Sequence, residues 1–554
     1  MQVFHIATEC TGIASVGGLG DVVHQVAKQC ALSGFDTTII LPRYGRLDDG
    51  FEARFGERLR HALRTAPVHP VRLWFPGKSD PGPQDTEMAR FAEIALPAAG
   101  AAVRLCLVDS PRFARRSSPY GRPDYPDVYP INLLLQKAAL TYIGARVSPK
   151  VPAVVHGHDA HVATLALAAC RGFPFSGTLN HLTYVFTAHN LGWGLRQRLW
   201  MDNVGWETNF LAHALDVAPE EIRSCIVDDG IHAMPGFEPF AAAALHGDHL
   251  TVVSEGYLWE LMQAGTSETA ESDMEIRTLA VFLERHRRAG TLRATLSGIT
   301  NGIDPEEAGP EAIDAAVRPE GIACGDFDWK QPFQAAFRHR LQSPAIRPAY
   351  WDRIASVTGS LDGFHPDRGV LFTYVGRLDA QKGADILARA VEEVFPYRDA
   401  AALCLLGAGR SSRFDEIAGR FPGRVVLLDG RSEEVAREVF AAGDFLLMPS
   451  RFEPCGLADL RAQLNGNIPV VNQVGGLSKI VNGQTGIGFF GLGDRSILRG
   501  LVDAMHRAAD LHANPEARIR LMRQADAWAR QTATWEKVFP AYQERYLQRP
   551  RPRD

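Results

Sequence analysis

The sequence has no run of apolar residues that approaches the ~18 needed for a membrane-spanning helix. Its eight cysteines are scattered without a C-x-x-C pair, which argues against a zinc ribbon or a disulfide framework and favours a reducing compartment. The formal charge of -5 gives no reason to expect nucleic acid or an anionic membrane as a partner. Residues 1–8 lack the basic segment and the long apolar core of a signal peptide. We therefore expect a cytoplasmic protein.

Strand and helix signals alternate along the 554 residues, which is the pattern of βαβ units around parallel sheets. A chain of this length is too long for one hydrophobic core and suits two large α/β lobes. We predict a first lobe over residues 1–296, with 250–253 as its last strand, and a second lobe over 297–533. Residues 305–365, rich in proline, glycine and charge, match neither pattern, and residues 535–547 predict a terminal helix.

The stretch from Phe445 to Leu457 organises the second half of the chain. Its first four residues are apolar without alternation, as expected of a parallel strand that is covered on both faces. Two prolines then end the strand and fix a turn that carries Glu453, and a helix is expected from about Gly456. In open α/β sheets, ligands bind at the carboxyl ends of the strands. The stretch therefore predicts that Glu453 faces a ligand site.

A second strand, loop and helix start run from Val375 to Gly383 and place Arg377 and Lys382 around one turn. Two fixed cations at this position can bind a diphosphate and stabilise the charge that grows on it as it leaves. They would supply the positive charge that a metal ion otherwise provides. The alternative is a solvated arginine and lysine beside a helix.

Glycine-rich turns follow other predicted strands. Ser15-Val-Gly-Gly-Leu-Gly-Asp21 opens the first predicted helix, and its glycines let backbone N–H groups approach a diphosphate or a sugar. The pattern differs from G-x-G-x-x-G, so a nicotinamide site is a weak interpretation. A plain tight turn is the alternative for this segment. Leu406-Gly-Ala-Gly409 is a shorter turn of the same kind.

Histidines follow two further strands of the first lobe. The segment from His156 to His161 contains three histidines and Asp159, and His189-Asn190 follows the next strand. A zinc hydrolase is one alternative, but the metallo-β-lactamase pattern His-x-His-x-Asp-His places its aspartate one residue later, and no obvious later ligands complete a two-metal site. A packed structural cluster is the other alternative, and a turn with a satisfied histidine is the alternative for His189.

The residues Pro449–Leu457, PSRFEPCGL, resemble the signature of bacterial glycogen synthases and plant starch synthases. The R-L-x-x-Q-K-G pattern from Arg377, the Gly-Gly-Leu turn from Gly17 and the T-x-H-N-L pattern from Thr187 resemble further motifs of these enzymes. They belong to glycosyltransferase family 5. The resemblance implies the α/β GT-B fold, in which two Rossmann-like lobes with parallel sheets face a deep cleft and a C-terminal helix, here 534–554, returns to the first lobe.

The resemblance also implies an activity. It is the retaining transfer of glucose from ADP-glucose, or from UDP-glucose, to the non-reducing end of an α-1,4-glucan, without a cofactor or a metal. The roles that carry over by motif are catalytic for Glu453, Arg377, Lys382 and His161, donor-binding for Ser15, Gly17, Gly18, Asn301, Gly407, Cys455, Gly456 and Leu457, and acceptor or cleft contacts for Asp21, Asp159, His189 and Asn190.

The sequence departs from the family at several positions. Ser15 replaces the lysine that helps hold the donor phosphates, and a lost charged contact of this kind costs about 1.5–3 kcal/mol. Ala160 replaces a tryptophan, and Arg431 stands near the expected nucleotide base. Arg461 occupies the position of a second glutamate in family 4 enzymes, which favours family 5. Two alternatives stay open: a divergent glycosyltransferase with another nucleotide sugar or a small acceptor, and a catalytically silent glucan-binding homologue.

Overall fold

The computed structural model describes residues 1–73, 86–98, 100–116, 128–172, 174–192, 198–201, 203–227, 235–264, 274–318, 322, 325–409, 412–550 and 552. The chain divides into two compact units. The first contains Met1–Val253, Leu258–Ile299 and the residues from Phe539 onward. The second contains Ser254–Tyr257 and Thr300–Val538.

A nine-stranded sheet forms the centre of the first unit. Across the sheet the strands follow the order Thr295–Gly298, His249–Val252, Thr183–Ala188, Ala153–His158, Gln2–Ile6, Asp36–Pro42, Ala101–Asp109, Thr86–Ala98 and Val68–Arg72. The first seven of these strands pair in parallel, and the last two add an antiparallel hairpin. The parallel strands of the middle are almost wholly buried, which explains their continuous apolar sequences.

Helices follow most strands of this sheet along the chain. A small antiparallel sheet is formed by the strands Leu199–Trp200, Gly236–Phe237 and Ile226–Val227. One of the helices, Asp49–Thr65, begins with a side-chain cap: the side chain of Asp48 accepts hydrogen bonds from the N–H groups of Gly50 and Phe51. The helices described are Gly18–Leu32, Asp49–Thr65, Pro111–Ala114, Val128–Gly144, Leu165–Arg171, Ser176–Leu179, Val204–Leu215, Pro219–Ser224, Pro239–His246, Glu255–Ala264 and Met274–Arg288.

The second unit contains a seven-stranded sheet in the order Ile354–Ser360, Val425–Gly430, Ala401–Gly407, Val370–Val375, Phe445–Met448, Ile468–Asn472 and Ile487–Phe489. All neighbours pair in parallel except the first pair, which is antiparallel. The helices are Pro305–Ala308, Lys330–Gln342, Ala384–Val394, Ser412–Arg420, Glu433–Ala442, Ala458–Leu464, Asp494–His512 and Pro515–Thr532. The last helix, Trp535–Leu547, begins in this unit and belongs to the first unit from Phe539 onward. Because parallel strands end at one edge of a sheet, the turns after Val375 and Met448 lie side by side.

The α/β fold class with two sheets built largely from parallel strands is confirmed. The prediction that 250–253 forms the last strand of the first lobe is wrong, because Thr295–Gly298 pairs beyond it in the same sheet. The 305–365 segment, unplaced from the sequence, contributes the helix Lys330–Gln342 and the antiparallel edge strand Ile354–Ser360. Among the described residues, no helix combines the length and the apolar character needed to cross a membrane.

Candidate active site

Lys382 and Glu453 form a bidentate ion pair at the carboxyl edge of the second sheet. The Lys382 Nζ atom lies 2.8 Å from Oε1 and 2.6 Å from Oε2 of Glu453. The Glu453 side chain is only 7% exposed, whereas that of Lys382 is 24% exposed. The Ser450 hydroxyl donates a further hydrogen bond of 3.2 Å to Glu453 Oε2. The carboxylate is therefore held from two sides, and the ammonium keeps access to solvent.

Direct backbone packing brings the two turns together. Gly383 has φ +69°, and a Cβ atom there would lie 2.1 Å from the carbonyl oxygen of Pro449. The Arg451 N–H donates to the Gln381 carbonyl at 2.9 Å. A side chain at position 383 would push the turns apart, so the glycine of the R-L-x-x-Q-K-G pattern is required for the ion pair.

Arg377 lies on the same turn as Lys382 but is more exposed, with 61% of its side chain accessible. Its guanidinium contacts the carboxylate of Asp379 and donates to Gln381 Oε1 at 3.0 Å. The backbone N–H of Lys382 donates to Asp379 Oδ1 at 3.0 Å, which fixes the loop between the two cations. Each terminal nitrogen of this exposed guanidinium has one neighbour and a second N–H, so the group can also bind an anion.

The predicted donor-binding residues of the second unit surround these turns. The backbone of Asn301 forms a hydrogen bond to the Cys455 thiol. Burial raises the pKa of this thiol to about 11. Gly456 has φ +74°, and Leu457 directly precedes the helix Ala458–Leu464. Gly407 approaches the turn of Arg377, since a Cβ atom there would lie 2.2 Å from the Gly376 carbonyl oxygen. The structure therefore brings these predicted residues to one edge of the sheet.

In the first unit, the glycine-rich turn is organised by a residue that sequence reasoning missed. The fully buried Glu9 accepts hydrogen bonds from the N–H groups of Val16 and Gly17 through Oε2. The Gly17 N–H, expected to face a ligand, thus already has an acceptor, and Gly18 begins the helix Gly18–Leu32. Glu9 stands three residues after the first strand, and that position was the only signal in the sequence.

The two polar side chains of this turn share one neighbour, Thr11. Its hydroxyl donates to Asp21 Oδ1 at 2.5 Å and lies 3.5 Å from the Ser15 hydroxyl. Ser15 itself is exposed. A longer, charged side chain at this position would have room to extend into solvent.

Asp159 is the centre of the remaining predicted contacts of the first unit. Its φ is +68°, and its Oδ1 accepts a hydrogen bond of 3.0 Å from the His189 N–H. The Asn190 N–H also donates to this carboxylate, and Asn190 Oδ1 in turn accepts from the Gly192 N–H at 2.9 Å. Burial raises the pKa of Asp159 to about 7. The aspartate joins the two histidine-containing turns into one rigid group.

His161 is 6% exposed, and its backbone carbonyl accepts a hydrogen bond of 3.1 Å from the Gln136 side chain. Burial, with a contribution from Arg116, lowers the pKa of His161 to about 4. Its imidazole is therefore neutral at pH 7 and can donate or accept a hydrogen bond without adding charge. Ala160, beside it, lines a small pocket with Leu211, Phe237 and their neighbours.

His156 and His158 point into the core instead, where they meet His5, another residue that sequence reasoning missed. Ring nitrogens of the three histidines lie within 4.8 Å of one another, close enough to hold an ion. However, each ring nitrogen already has a protein partner, and an ion would have to displace several of these hydrogen bonds. The contacts are His5–His158 at 3.2 Å, His5–Cys30 at 3.6 Å, His156–Tyr546 at 2.7 Å, His156–Thr187 at 2.8 Å and His158–His189 at 3.2 Å.

For His156 and His158, this geometry supports the packed structural cluster over the zinc hydrolase. The pKa values of His5, His156 and His158 are all lowered, with burial as the main cause. The rings are neutral at pH 7, and each can donate from one nitrogen and accept at the other. The cluster thereby links the buried core to His189.

Comparison with known proteins identifies the chain. Residues 2–275 match the family model described as starch synthase catalytic domain, and residues 369–509 match that of glycosyl transferases group 1. A glycogen synthase of Alkalilimnicola ehrlichii is 30% identical over 87% of this chain and 85% of its own length. A glycogen synthase of Burkholderia thailandensis is 29% identical over 98% and 89%, and the soluble starch synthase 2-2 of Oryza sativa is 26% identical over 98% and 70%.

A solved structure shows the same fold. The catalytic domain of starch synthase IV from Arabidopsis thaliana, bound to ADP and acarbose, superposes with a TM-score of 0.72 at 22% identity and covers 98% of each chain. The fold and the matched motifs define a glycosyltransferase. Within that class, the chain belongs to the glycogen and starch synthase family.

Proposed function

We propose that the protein is a retaining glucosyltransferase that moves glucose from ADP-glucose to the non-reducing end of an α-1,4-glucan. The observation that carries this proposal is the ion pair between Lys382 and Glu453, which joins the two family motifs at one sheet edge. A related catalytic domain whose solved structure is described as bound to ADP and acarbose supports the donor and the acceptor class. None of the described cysteines forms a disulfide, in keeping with a cytoplasmic setting.

The second lobe, 297–533, would hold the donor diphosphate. An ammonium group has three N–H donors, and two of those on Lys382 are directed at Glu453. The third is left for a phosphate oxygen, and the exposed Arg377 supplies further guanidinium N–H groups from the same turn. Together they would stabilise the charge that develops on the leaving diphosphate. Asn301, Gly407 and the residues from Cys455 to Leu457 would complete the donor site.

The chemistry breaks the bond from the glucose C1 atom to the diphosphate oxygen and forms a bond from C1 to the acceptor 4-hydroxyl oxygen. Both events occur on the same face of the ring, so the α configuration is retained. The acceptor proton passes to the departing diphosphate, and no protein nucleophile is needed. The enzyme contributes positioning and fixed charge.

Glu453 would orient the glucose hydroxyls, and its negative charge would favour the positive charge that develops on the ring. The first lobe, 1–296 with the terminal helix 534–554, would supply the acceptor side. There, the neutral His161 would contact the glucose, while the group of Asp159, His189 and Asn190 would line the site. The turn from Ser15 through Gly17 and Gly18 to Asp21 would contact the donor without a fixed positive charge at position 15.

The experiment is glucose transfer from radiolabelled ADP-glucose, and separately UDP-glucose, to glycogen and to maltooligosaccharides. Wild type is compared with Glu453→Ala and with Ser15→Lys. We expect transfer from ADP-glucose that is lost in Glu453→Ala, and product that an exo-acting α-1,4-glucan hydrolase degrades from the non-reducing end. Transfer from UDP-glucose alone would replace the proposed donor, and no transfer from either donor even by Ser15→Lys would overturn the proposed function.

A further inference from the structure

Lys479 lies between the turn that follows Glu453 and the Gly475-Gly476 turn. Its Nζ atom is 2.6 Å from the Cys455 carbonyl oxygen, 2.7 Å from that of Gly456 and 3.0 Å from that of Gly476. Three N–H donors thus meet three backbone acceptors from two separate turns. The side chain is 11% exposed, so water competes little with these contacts.

The charge of this ammonium is balanced by Asp459. The carboxylate is fully buried, with Oδ2 at 3.0 Å and Oδ1 at 3.2 Å from Lys479 Nζ. A buried pair of this kind is stable only when its hydrogen bonds are satisfied and its geometry is fixed. The four oxygen groups therefore form a cation site that Lys479 fills from the same chain.

This cation site is joined directly to the candidate catalytic glutamate. The Gly476 N–H donates to the Glu453 carbonyl oxygen at 2.8 Å. The turns touch so closely that a Cβ atom at position 476 would lie 2.0 Å from the Cys455 carbonyl oxygen, and one at 456 would lie 3.2 Å from Lys479 Nζ. The ammonium therefore contacts the backbone of the turn that directly follows Glu453.

We propose that Lys479, balanced by Asp459, is a positioning residue for glucosyl transfer. It holds the turn after Glu453 against the Gly475-Gly476 turn and so sets the carboxylate in the geometry that transfer requires. The inference rests on the proposed function of Glu453. The ammonium N–H groups of Lys479 are directed at backbone carbonyl oxygens. Lys479 therefore acts through this turn and not on the phosphates of the sugar nucleotide.

The chain offers a matched control in Lys330. Its Nζ atom also contacts three backbone carbonyl oxygens, those of Ala441, Gly443 and Asn465, at 2.8, 2.7 and 2.9 Å. It is likewise buried, but none of its three acceptors lies in the turns around Glu453. A general loss of stability should affect Lys330→Ala and Lys479→Ala alike, whereas a loss of positioning should affect only the second.

The test measures kcat and the donor KM of wild type, Lys479→Ala, Asp459→Asn and Lys330→Ala at a temperature where each is folded by circular dichroism. For Lys479→Ala we expect kcat to fall about 10- to 100-fold, the cost of a small misplacement at a catalytic group, with the donor KM changed less than about threefold. Lys330→Ala is expected to lower the melting temperature but to keep kcat within about twofold.

Chemical rescue sharpens the test. Removal of the side chain leaves the oxygen acceptors without a donor, so methylammonium chloride should bind them and restore several-fold activity to Lys479→Ala but not to Glu453→Ala. Tetramethylammonium chloride at the same concentration has no N–H donors and should not rescue. Unchanged kcat in folded Lys479→Ala, or an equal loss in Lys330→Ala, would overturn the inference while leaving the proposed function intact. Absence of transfer by wild type would instead reject the proposed function.

Discussion

Lys382 Nζ and the two carboxylate oxygens of Glu453 lie 2.8 and 2.6 Å apart, although the residues are 71 positions apart in the chain. The pair is neutral as a whole, and it stands where the family motifs predict the donor diphosphate and the transferred glucose. The lysine is thereby positioned by the carboxylate before a donor arrives. Such preorganisation reduces the rearrangement needed when charge develops during transfer.

Glu453→Gln should separate catalysis from donor binding. The amide keeps the shape of the side chain but removes the charge that would stabilise the transferring glucose, so we expect kcat to fall about 10²- to 10³-fold. Lys382 loses its charged partner and becomes freer to contact phosphate, so the Kd for ADP should stay equal or decrease. Steady-state kinetics and isothermal titration with ADP measure the two quantities.

Glu434→Gln is the matched control for that substitution. Glu434 also forms an ion pair, with Arg353 at 3.1 Å, but its side chain is 31% exposed and it lies outside the predicted site. Its kcat should remain within about twofold of wild type. A Glu453→Gln enzyme that retains wild-type kcat would contradict a catalytic role for the carboxylate.

The ion pair should also be measurable in stability. Lys382→Met leaves the buried Glu453 carboxylate without its cation, and we expect the free energy of unfolding to fall by about 1–3 kcal/mol, a value reduced for the partial exposure of the lysine. In Lys382→Met/Glu453→Gln no charge is stranded, and most of the loss should be recovered. Urea unfolding of wild type and the three variants gives the coupling energy, and simple additivity of the two single changes would argue against the pair.

The sequence predicted both members of this pair but not their contact. Each side chain follows an apolar strand, and parallel strands end at one edge, so local pattern was sufficient to place Glu453 and Lys382 there. Their contact depends on Val370–Val375 and Phe445–Met448 being neighbours in the sheet. Strand order is decided by packing of the whole unit, which a local pattern does not contain.

The histidine cluster shows the same limit in the first unit. His5 lies in the first strand and is the register partner of His156, so the cluster follows from the pairing of residues that are 151 positions apart in the chain. A lone histidine in an apolar strand carries no signal of that pairing. Glu9 was missed for a related reason, since its hydrogen bonds to Val16 and Gly17 appear only once the intervening loop has folded.

Ser15→Lys should restore the positive charge that the family carries at this position. Ser15 is exposed, and a lysine could extend toward the donor phosphates, where a charged hydrogen bond contributes about 1.5–3 kcal/mol. We therefore expect the Kd for ADP to decrease about tenfold or more, with the gain shrinking as salt is added. Ser15→Gln, similar in length but uncharged, is the control. Equal affinity in the lysine and glutamine variants would show that charge at position 15 does not contact the donor.

Asp159→Asn should change the pH dependence of stability in a direction fixed by the raised pKa. The pKa of Asp159 is about 7 in the folded protein against an ordinary value of 3.8 for an aspartate, and burial away from water is the main cause. Between these values the folded protein binds a proton that the unfolded chain has lost. The stabilisation from this group is therefore complete below pH 4 and is lost as pH rises toward 7, by up to about 4 kcal/mol.

An asparagine has no such proton, and its oxygen can still accept from the His189 N–H. Relative to wild type, the variant should therefore gain stability between pH 4 and pH 7, which urea unfolding at a series of pH values measures. A stability difference that does not change with pH would show that the Asp159 carboxyl group ionises as readily in the folded protein as in the unfolded chain.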